Sequence, residues 1–260
     1  AISSGQTYEV SFRARWLAGS NQLNSRCYYQ RLARTTQLDR PEECGTPGAA
    51  NSRLEANLGP TFANLRHDPP VPAANAPVTI IADVSDPDGV GTLVLKARYN
   101  EGSVSSHSFS VDANGRGQGT LPGAAAGTVI QFWIEATDSL GANSTAPAAG
   151  RASRALIQVE DGQGTALPLQ ELRVVMLPSE RSFLLEPLNL MSNERLGVTM
   201  IYNRRHITYD AGIRMRGSAA GRARDGTNYQ GFNVAYPDDQ PFRGVHSSVS
   251  IDRSHRRPVV

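Results

Sequence analysis

The chain has 260 residues, a formal net charge of +2, a charged fraction of 19%, 24 glycines and 16 prolines. That length is enough for one large domain or two to three small ones, and the scarcity of Ala, Leu, Glu and Lys runs excludes a helical bundle in favour of strands joined by turns. The basic residues are nearly all arginines, with Lys96 the single lysine, and they are scattered among acids, unlike the dense basic face of a nucleic-acid binder. No apolar run approaches the length of a membrane span.

Residues 7 to 38 alternate as strands do: Tyr8, Val10, Phe12 and Ala14 share one face, with Glu9, Ser11, Arg13 and Arg15 on the other. After the Gly19-Ser20-Asn21 turn, residues 23 to 29 are predicted to return as the partner strand. One hairpin covers too little apolar surface to stand alone in water. Residues 1 to 57 are therefore predicted to be the C-terminal remnant of a β-sandwich module, and the abrupt start at Ala1-Ile2-Ser3 and the end at Pro258-Val259-Val260 predict an excerpt of a longer protein. Cys27 and Cys44 flank a Pro-Glu-Glu turn without a nearby zinc-ligand pattern; a disulfide closing that loop and two separate thiols are both open.

Residues 58 to 75, ending in Asp68-Pro69-Pro70-Val71-Pro72, read as a Pro-rich linker, because proline lacks a donor and is stiff in φ. From 76 to 160 short strands recur: residues 78 to 84, 92 to 99, 107 to 111, 127 to 138 and 154 to 159. The 127 to 138 strand puts Ile130, Phe132, Ile134 and Ala136 on one face and Val129, Gln131, Trp133 and Glu135 on the other. Turn chemistry at Asp86-Pro87-Asp88-Gly89 separates two of these strands. The spacing predicts an immunoglobulin-like or fibronectin-like sandwich. The Asp-Pro-x-Gly turn and the later Ala136-Thr137-Asp138-Ser139-Leu140-Gly141 also resemble the bacterial immunoglobulin-like repeats of secreted proteins.

Gly162-Gln163-Gly164-Thr165 reads as a short flexible link. Beyond it come a strand at 172 to 176, a short helix at 178 to 185 that Ser179 could cap, a hairpin of residues 198 to 202 and 206 to 209 around Asn203-Arg204-Arg205, and strands at 211 to 218, 232 to 236 and 247 to 252.

Four consecutive motifs in this last part carry a resemblance. A hairpin ending in Tyr209-Asp210, then GIRMRGS over residues 212 to 218, GFNVAYPDDQPFRGVH over 231 to 246 and SIDRS over 250 to 254 resemble the first half of the CotH family, spore-coat proteins distantly related to protein kinases. The resemblance implies a mainly β chain whose immunoglobulin-like sandwich is followed, over residues 165 to 260, by a mixed α+β partial kinase-like N-lobe. It also implies ATP and magnesium as cofactors of the intact protein, which would phosphorylate Ser or Thr, and an acidic catalytic machinery lying past residue 260. The fragment itself is then expected to hold no catalytic residue and to be inactive.

On a strand, Arg214 and Arg216 point to the same face, so two planar guanidinium forks could hold phosphate oxygens, with Gly217 and Ser218 adding close backbone approach and a hydroxyl. Arg214, Arg216 and Ser218 are the candidate phosphate contacts. In the family the second basic position is commonly lysine, which Arg216 replaces. The alternative is structural: the two arginines pair with Asp210 or Asp252 on a neighbouring strand. Asp252 could orient a metal or a basic residue, or simply end its strand.

Elsewhere no metal site is expected. Asp83, Asp86 and Asp88 could supply calcium oxygens, but an EF-hand spacing is absent and turn formation is the commoner reason for such acids, and the histidines at 67, 107, 206, 246 and 255 are dispersed. The function expected is a non-catalytic fragment of a secreted or surface CotH-type protein of bacterial origin, with extracellular or coat proteins as partners. The competing class is an adhesion or carbohydrate-binding multi-sandwich protein without phosphoryl transfer, in which Trp16, Tyr28 and Tyr29 stack on sugar rings of a polysaccharide partner.

Overall fold

The computed structural model describes residues 6, 13–14, 22–26, 33–38 and 55 of a first unit, and 57–162, 170–186, 189, 192–217 and 231–251 of a second; the chain divides between Ala56 and Asn57. In the first unit β1 (Gln22–Arg26) pairs antiparallel with β2 (Ala33–Gln37), Leu23 opposite Thr36. Of residues 7 to 15, which the sequence pattern suggested as a partner, all but Arg13 and Ala14 lie outside the described residues. Trp16, Cys27, Tyr28, Tyr29 and Cys44 lie outside the described residues.

The second unit opens with β3 (Thr61–Asp68), β4 (Val78–Ser85), β5 (Val90–Tyr99), β6 (Val104–Ser108), β7 (Ser110–Val111), β8 (Arg116–Leu121), β9 (Val129–Asp138), β10 (Asn143–Ala146) and β11 (Leu156–Gln158). One antiparallel sheet runs β3-β4-β8-β7, the other β10-β9-β5-β6 with β11 on β9. Alternation sends Val78, Ile80, Ala82 and Val84 of β4 and Ile130, Phe132 and Ile134 of β9 into one shared core. The two sheets therefore form the expected sandwich. Gly117 and Gly119 leave room for the Phe109 ring, since a Cβ on either would lie within 2.9 Å of it.

The sandwich begins earlier than the proline pattern suggested. Residues 61 to 68 were read as linker; they form β3, whose Phe62 and His67 pair with Val84 and Ile80 of β4, and of the expected linker, residues 58 to 60 and 69 to 75 lie outside a strand. The sequence Thr61-Phe62-Ala63-Asn64-Leu65-Arg66 lacks clean alternation because a register shift between Ala63 and Arg66 interrupts it, with Asn64 at φ +54°.

After the sandwich come β12 (Leu172–Val175), α1 (Pro178–Leu185), β13 (Leu196–Tyr202), β14 (His206–Met215), β15 (Phe232–Ala235) and β16 (Ser248–Ile251), and the five strands form an antiparallel sheet in chain order. Pro178 opens α1 without a side-chain cap: Leu177 occupies the cap position, and the Ser179 hydroxyl donates to Glu101 instead. Among the described residues no helix is long and apolar enough to cross a membrane.

Residues 206 to 209 and 211 to 215 belong to one strand that turns over in the middle. Asp210 sits at φ +53°, opposite a register shift between Val198 and Met200. Before it, Tyr209 enters the sandwich core; after it, Ala211, Ile213 and Met215 enter a second core with Val198, Met200, Phe232 and Val234. Ile201, Val175 and Leu177 meet Val129 and Leu156 in a third cluster, which joins the sheet to the sandwich.

Polar contacts complete that seam. The fully buried Thr199 hydroxyl accepts from the Leu156 amide at 2.9 Å and donates to the Arg154 carbonyl. The Asp210 carboxylate takes the Arg154 amide and the Ser153 hydroxyl. Arg173, 7% exposed, is held by Glu160, Asp161 and Glu171. His67 is buried between the Tyr209 hydroxyl at 2.7 Å and the Pro70 carbonyl at 3.0 Å. Because a carbonyl only accepts, Nε2 carries the proton and Nδ1 accepts from Tyr209.

Two expectations follow from the seam. Thr199→Val keeps the shape but strands a buried N–H and a buried C=O, so it should cost about 2 kcal/mol in denaturant unfolding; an unchanged midpoint would show the hydroxyl to be dispensable. Burial pushes the His67 pKa from 6.5 down to about 4, against a smaller opposing effect of the Pro70 carbonyl. The unfolded chain therefore binds the extra proton first: this stability is complete above pH 6.5 and about 3 kcal/mol of it is lost as pH falls toward 4. Thermal unfolding between pH 7 and 4.5 should show that slope, and His67→Phe should flatten it while lowering the melting point throughout.

Candidate functional site

Arg214 lies near the end of β14. Ile213 and Met215 point into the second core, so Arg214 projects from the opposite face, half-buried, and Arg216 follows two residues later, exposed. The strand ends at Met215, but pairing continues one step further, since the Arg216 amide donates to the Gly231 carbonyl at 2.8 Å. Gly217 then turns the chain at φ +109°, a conformation that other residues rarely adopt. Ser218 and Asp252 lie outside the described residues.

The structural alternative is closed for one acid. Asp210 is engaged by Ser153 and Arg154, so it is not the partner of Arg214. Arg214 donates from Nη1 to the Asn193 side chain at 3.1 Å, and its buried Nε has no hydrogen-bond partner. A planar fork with one buried donor unmet is a site that an anion could complete.

The same face is built from glycine and arginine. Gly197 and Gly212 face each other across β13 and β14, and the side chains of Arg154 and Arg195 lie over them; a Cβ on Gly197 would come within 2.6 Å of Arg154 Cγ. Arg154 is neutralised by Glu180 of α1 at 2.6 Å. Arg195 and Arg214 have no carboxylate partner in any ion pair among the described residues.

A second concavity lies at the other end of β14. A cavity of about 790 Å³ opens between the end of β3, the β13–β14 hairpin and the loop after β15. Arg66, Arg205 and Arg243 line it, together with Tyr202, Tyr236 and Phe242. Phe242 meets Tyr202 edge-on at 5.1 Å and Tyr236 at 5.3 Å. The Tyr236 hydroxyl is buried with no hydrogen-bond partner, and that burial pushes its pKa up to about 12. None of the three arginines is in an ion pair with a described residue.

Sequence reading grouped Arg204 with Arg205, but the structure separates them. Arg204 turns back onto Glu160 and Glu171, whereas Arg205 faces the cavity. The cavity itself was not foreseen. Arg66 lies in the stretch taken for linker, and Tyr236 and Phe242 were read only as parts of a strand and a motif. The one available signal was the run Tyr236-Pro237-Asp238-Asp239-Gln240-Pro241-Phe242, whose prolines force an ordered loop to present aromatic rings.

Of the acids at the Asp-Pro-Asp-Gly turn, Asp83 accepts from Asn64 at 2.6 Å, while Asp86 and Asp88 converge with Asp138. This is the one group of acidic, His or Cys side chains among the described residues whose ligand atoms come together in this way.

No protein-family model and no curated protein matches the chain. Among solved structures it is similar to an uncharacterized protein of Listeria monocytogenes in complex with glucose, magnesium and calcium, at 8% identity and a TM-score of 0.29, covering 73% of this chain and 16% of that one. It is also similar to the cycloalternan-forming enzyme of Listeria monocytogenes in complex with a pentasaccharide substrate, at 8% identity and a TM-score of 0.28, covering 75% of this chain and 17% of that one. The chain thus spans about one sixth of the length of these structures. Likeness at this level carries no argument about fold or function.

Proposed function

We propose that the chain is a non-catalytic part of a secreted or surface-attached CotH-type protein, and that its C-terminal sheet is the phosphate-facing portion of a kinase-like lobe. The observation that carries this reading is Arg214: a half-buried guanidinium with an unmet Nε, two residues before Arg216 and followed by a glycine turn. A five-stranded antiparallel sheet with one short helix among the described residues supports the same reading, as do the Arg154 and Arg195 side chains over Gly197 and Gly212 on the same face as Arg214.

The chemistry is binding, not transfer. Arg214 and Arg216 hold and orient phosphate oxygens; the resemblance places the carboxylates that position magnesium and the attacking hydroxyl beyond residue 260. ATP supplies the phosphoryl group when bound in the intact protein, and magnesium neutralises its charge there.

The test is a longer version of the chain that includes the following segment, titrated with ATP and magnesium by calorimetry and assayed for transfer to a Ser- or Thr-containing protein. Saturable binding, weakened roughly ten- to hundredfold in Arg214→Ala as a charge-assisted hydrogen bond is removed, is the expected result. Absence of binding and of transfer with any divalent metal, or an Arg214→Ala/Arg216→Ala variant that binds as well as the parent, would remove the kinase reading.

One observation favours the second class, a polysaccharide-binding module. The cavity at the hairpin end combines aromatic rings with three arginines that form no ion pair with a described residue, the pairing expected for an acidic sugar: rings to stack on and forks to hold carboxylates. In affinity electrophoresis through a gel containing polygalacturonate the protein should be retarded, and Arg205→Ala/Arg243→Ala should restore its mobility. Equal mobility in gels with and without the polysaccharide would discard this reading.

A further inference from the structure

We propose that Asp86, Asp88 and Asp138 form a divalent-cation site of the calcium class at the end of the sandwich. This goes beyond both readings above and depends on neither.

Two loops build the site. In the turn between β4 and β5, the Asp86 Oδ1 accepts the Asp88 amide at 2.8 Å, and Gly89 completes the turn at φ +92°. In the turn between β9 and β10, the Asp138 Oδ1 accepts the amides of Leu140 and Ala142 at 2.9 and 2.8 Å. The loops are fastened to each other, because both the amide and the hydroxyl of Ser139 donate to the Gly89 carbonyl. Turn formation therefore uses one oxygen each of Asp86 and Asp138 and leaves the second oxygen of both carboxylates over.

What remains is unexplained by turn chemistry. Asp138 is only 4% exposed, and its Oδ2 is buried with no hydrogen-bond partner; the Asn57 Oδ1 is buried without a partner as well. A buried carboxylate oxygen without a donor is costly unless a cation completes it. One oxygen from each of the three acids lies within 4.8 Å of the others, and none of the three acids is in an ion pair with a described residue. Like charges at that separation repel, so the loops hold three mutually unfavourable groups together for no gain within the chain.

Donor type selects the cation. All three donors are carboxylate oxygens, which suits a hard ion and gives none of the nitrogen or sulfur that zinc prefers. Calcium accepts six to eight oxygens in irregular geometry, which tolerates water on the open side where Asp88 is exposed. Magnesium, with shorter bonds and a near-ideal octahedron, fits loops fixed by backbone hydrogen bonds less well.

The experiment is calorimetric titration of the full chain, stripped with chelator, with calcium and then magnesium up to about 10 mM, paired with thermal unfolding in each state, since extracellular calcium modules bind at about 10⁻⁴–10⁻³ M. Saturable calcium binding with a raised melting point is expected. The variant Asp86→Asn/Asp88→Asn keeps the Oδ1 acceptor that closes the turn and leaves Asp138 in place; it should unfold as the chelated parent does and bind calcium at least tenfold more weakly. No saturable heat and no change in melting point, undiminished binding in the double variant, or a larger shift with magnesium than with calcium would overturn the proposal.

Discussion

Where the sheet of residues 172 to 251 meets the sandwich, beside the apolar cluster of Val129, Leu156, Val175, Leu177 and Ile201, the polar groups of the seam depend on one buried hydroxyl and one reversed backbone residue. Sandwich strands end where their ladders end, and β11, only three residues long, would leave the chain beside it with open donors and acceptors. Thr199 closes that gap by taking the Leu156 amide and giving to the Arg154 carbonyl, so the neighbouring sheet supplies from a side chain what a further strand would supply from its backbone. Asp210 does the rest. Its positive φ lets a single strand feed Tyr209 into one core and Ala211 into another, and its carboxylate takes the adjacent Arg154 amide.

This constraint decides which arginines are structural. Arg154 and Arg173 stand at the seam and are neutralised, Arg154 by Glu180 and Arg173 by three acids, while Arg204 folds back onto two of those acids. Acids near the seam are consumed there. Arg214 near one end of β14 keeps a buried donor unmet, and Arg205 just before its other end lines the cavity.

Strand by strand, the sandwich was legible because its patterns are local. Alternation in β4 and β9 and the chemistry of the Asp-Pro-Asp-Gly turn depend on neighbours in sequence, and these elements stand where the pattern put them. β3 was hidden by a bulge that breaks its alternation and by the prolines that follow it. The single strand β14 was read as two because Asp210 reverses the faces, a signal that resembles a turn until the partner strand is known. Arg214 stands on the face opposite Ile213 and Met215, as the two-residue alternation of a strand implies. Arg66, Tyr236 and Phe242 come together from three distant parts of the chain, and no local pattern carries that.

The acidic cluster was half legible for the same reason. Asp86 and Asp88 are neighbours and announce a turn, whereas Asp138 joins them only because β5 and β9 pair antiparallel with Val90 opposite Asp138. That pairing also separates the two ends of the molecule's second unit. β9 carries Asp138 at its last position and, at its first three, the residues that pair with β11 and lead into the seam. Ten residues of extended chain put about 30 Å between them. A cation bound at the acidic loops would therefore stabilise the sandwich without touching Thr199, Asp210 or Arg214, and the loss of one site leaves the geometry of the other unchanged.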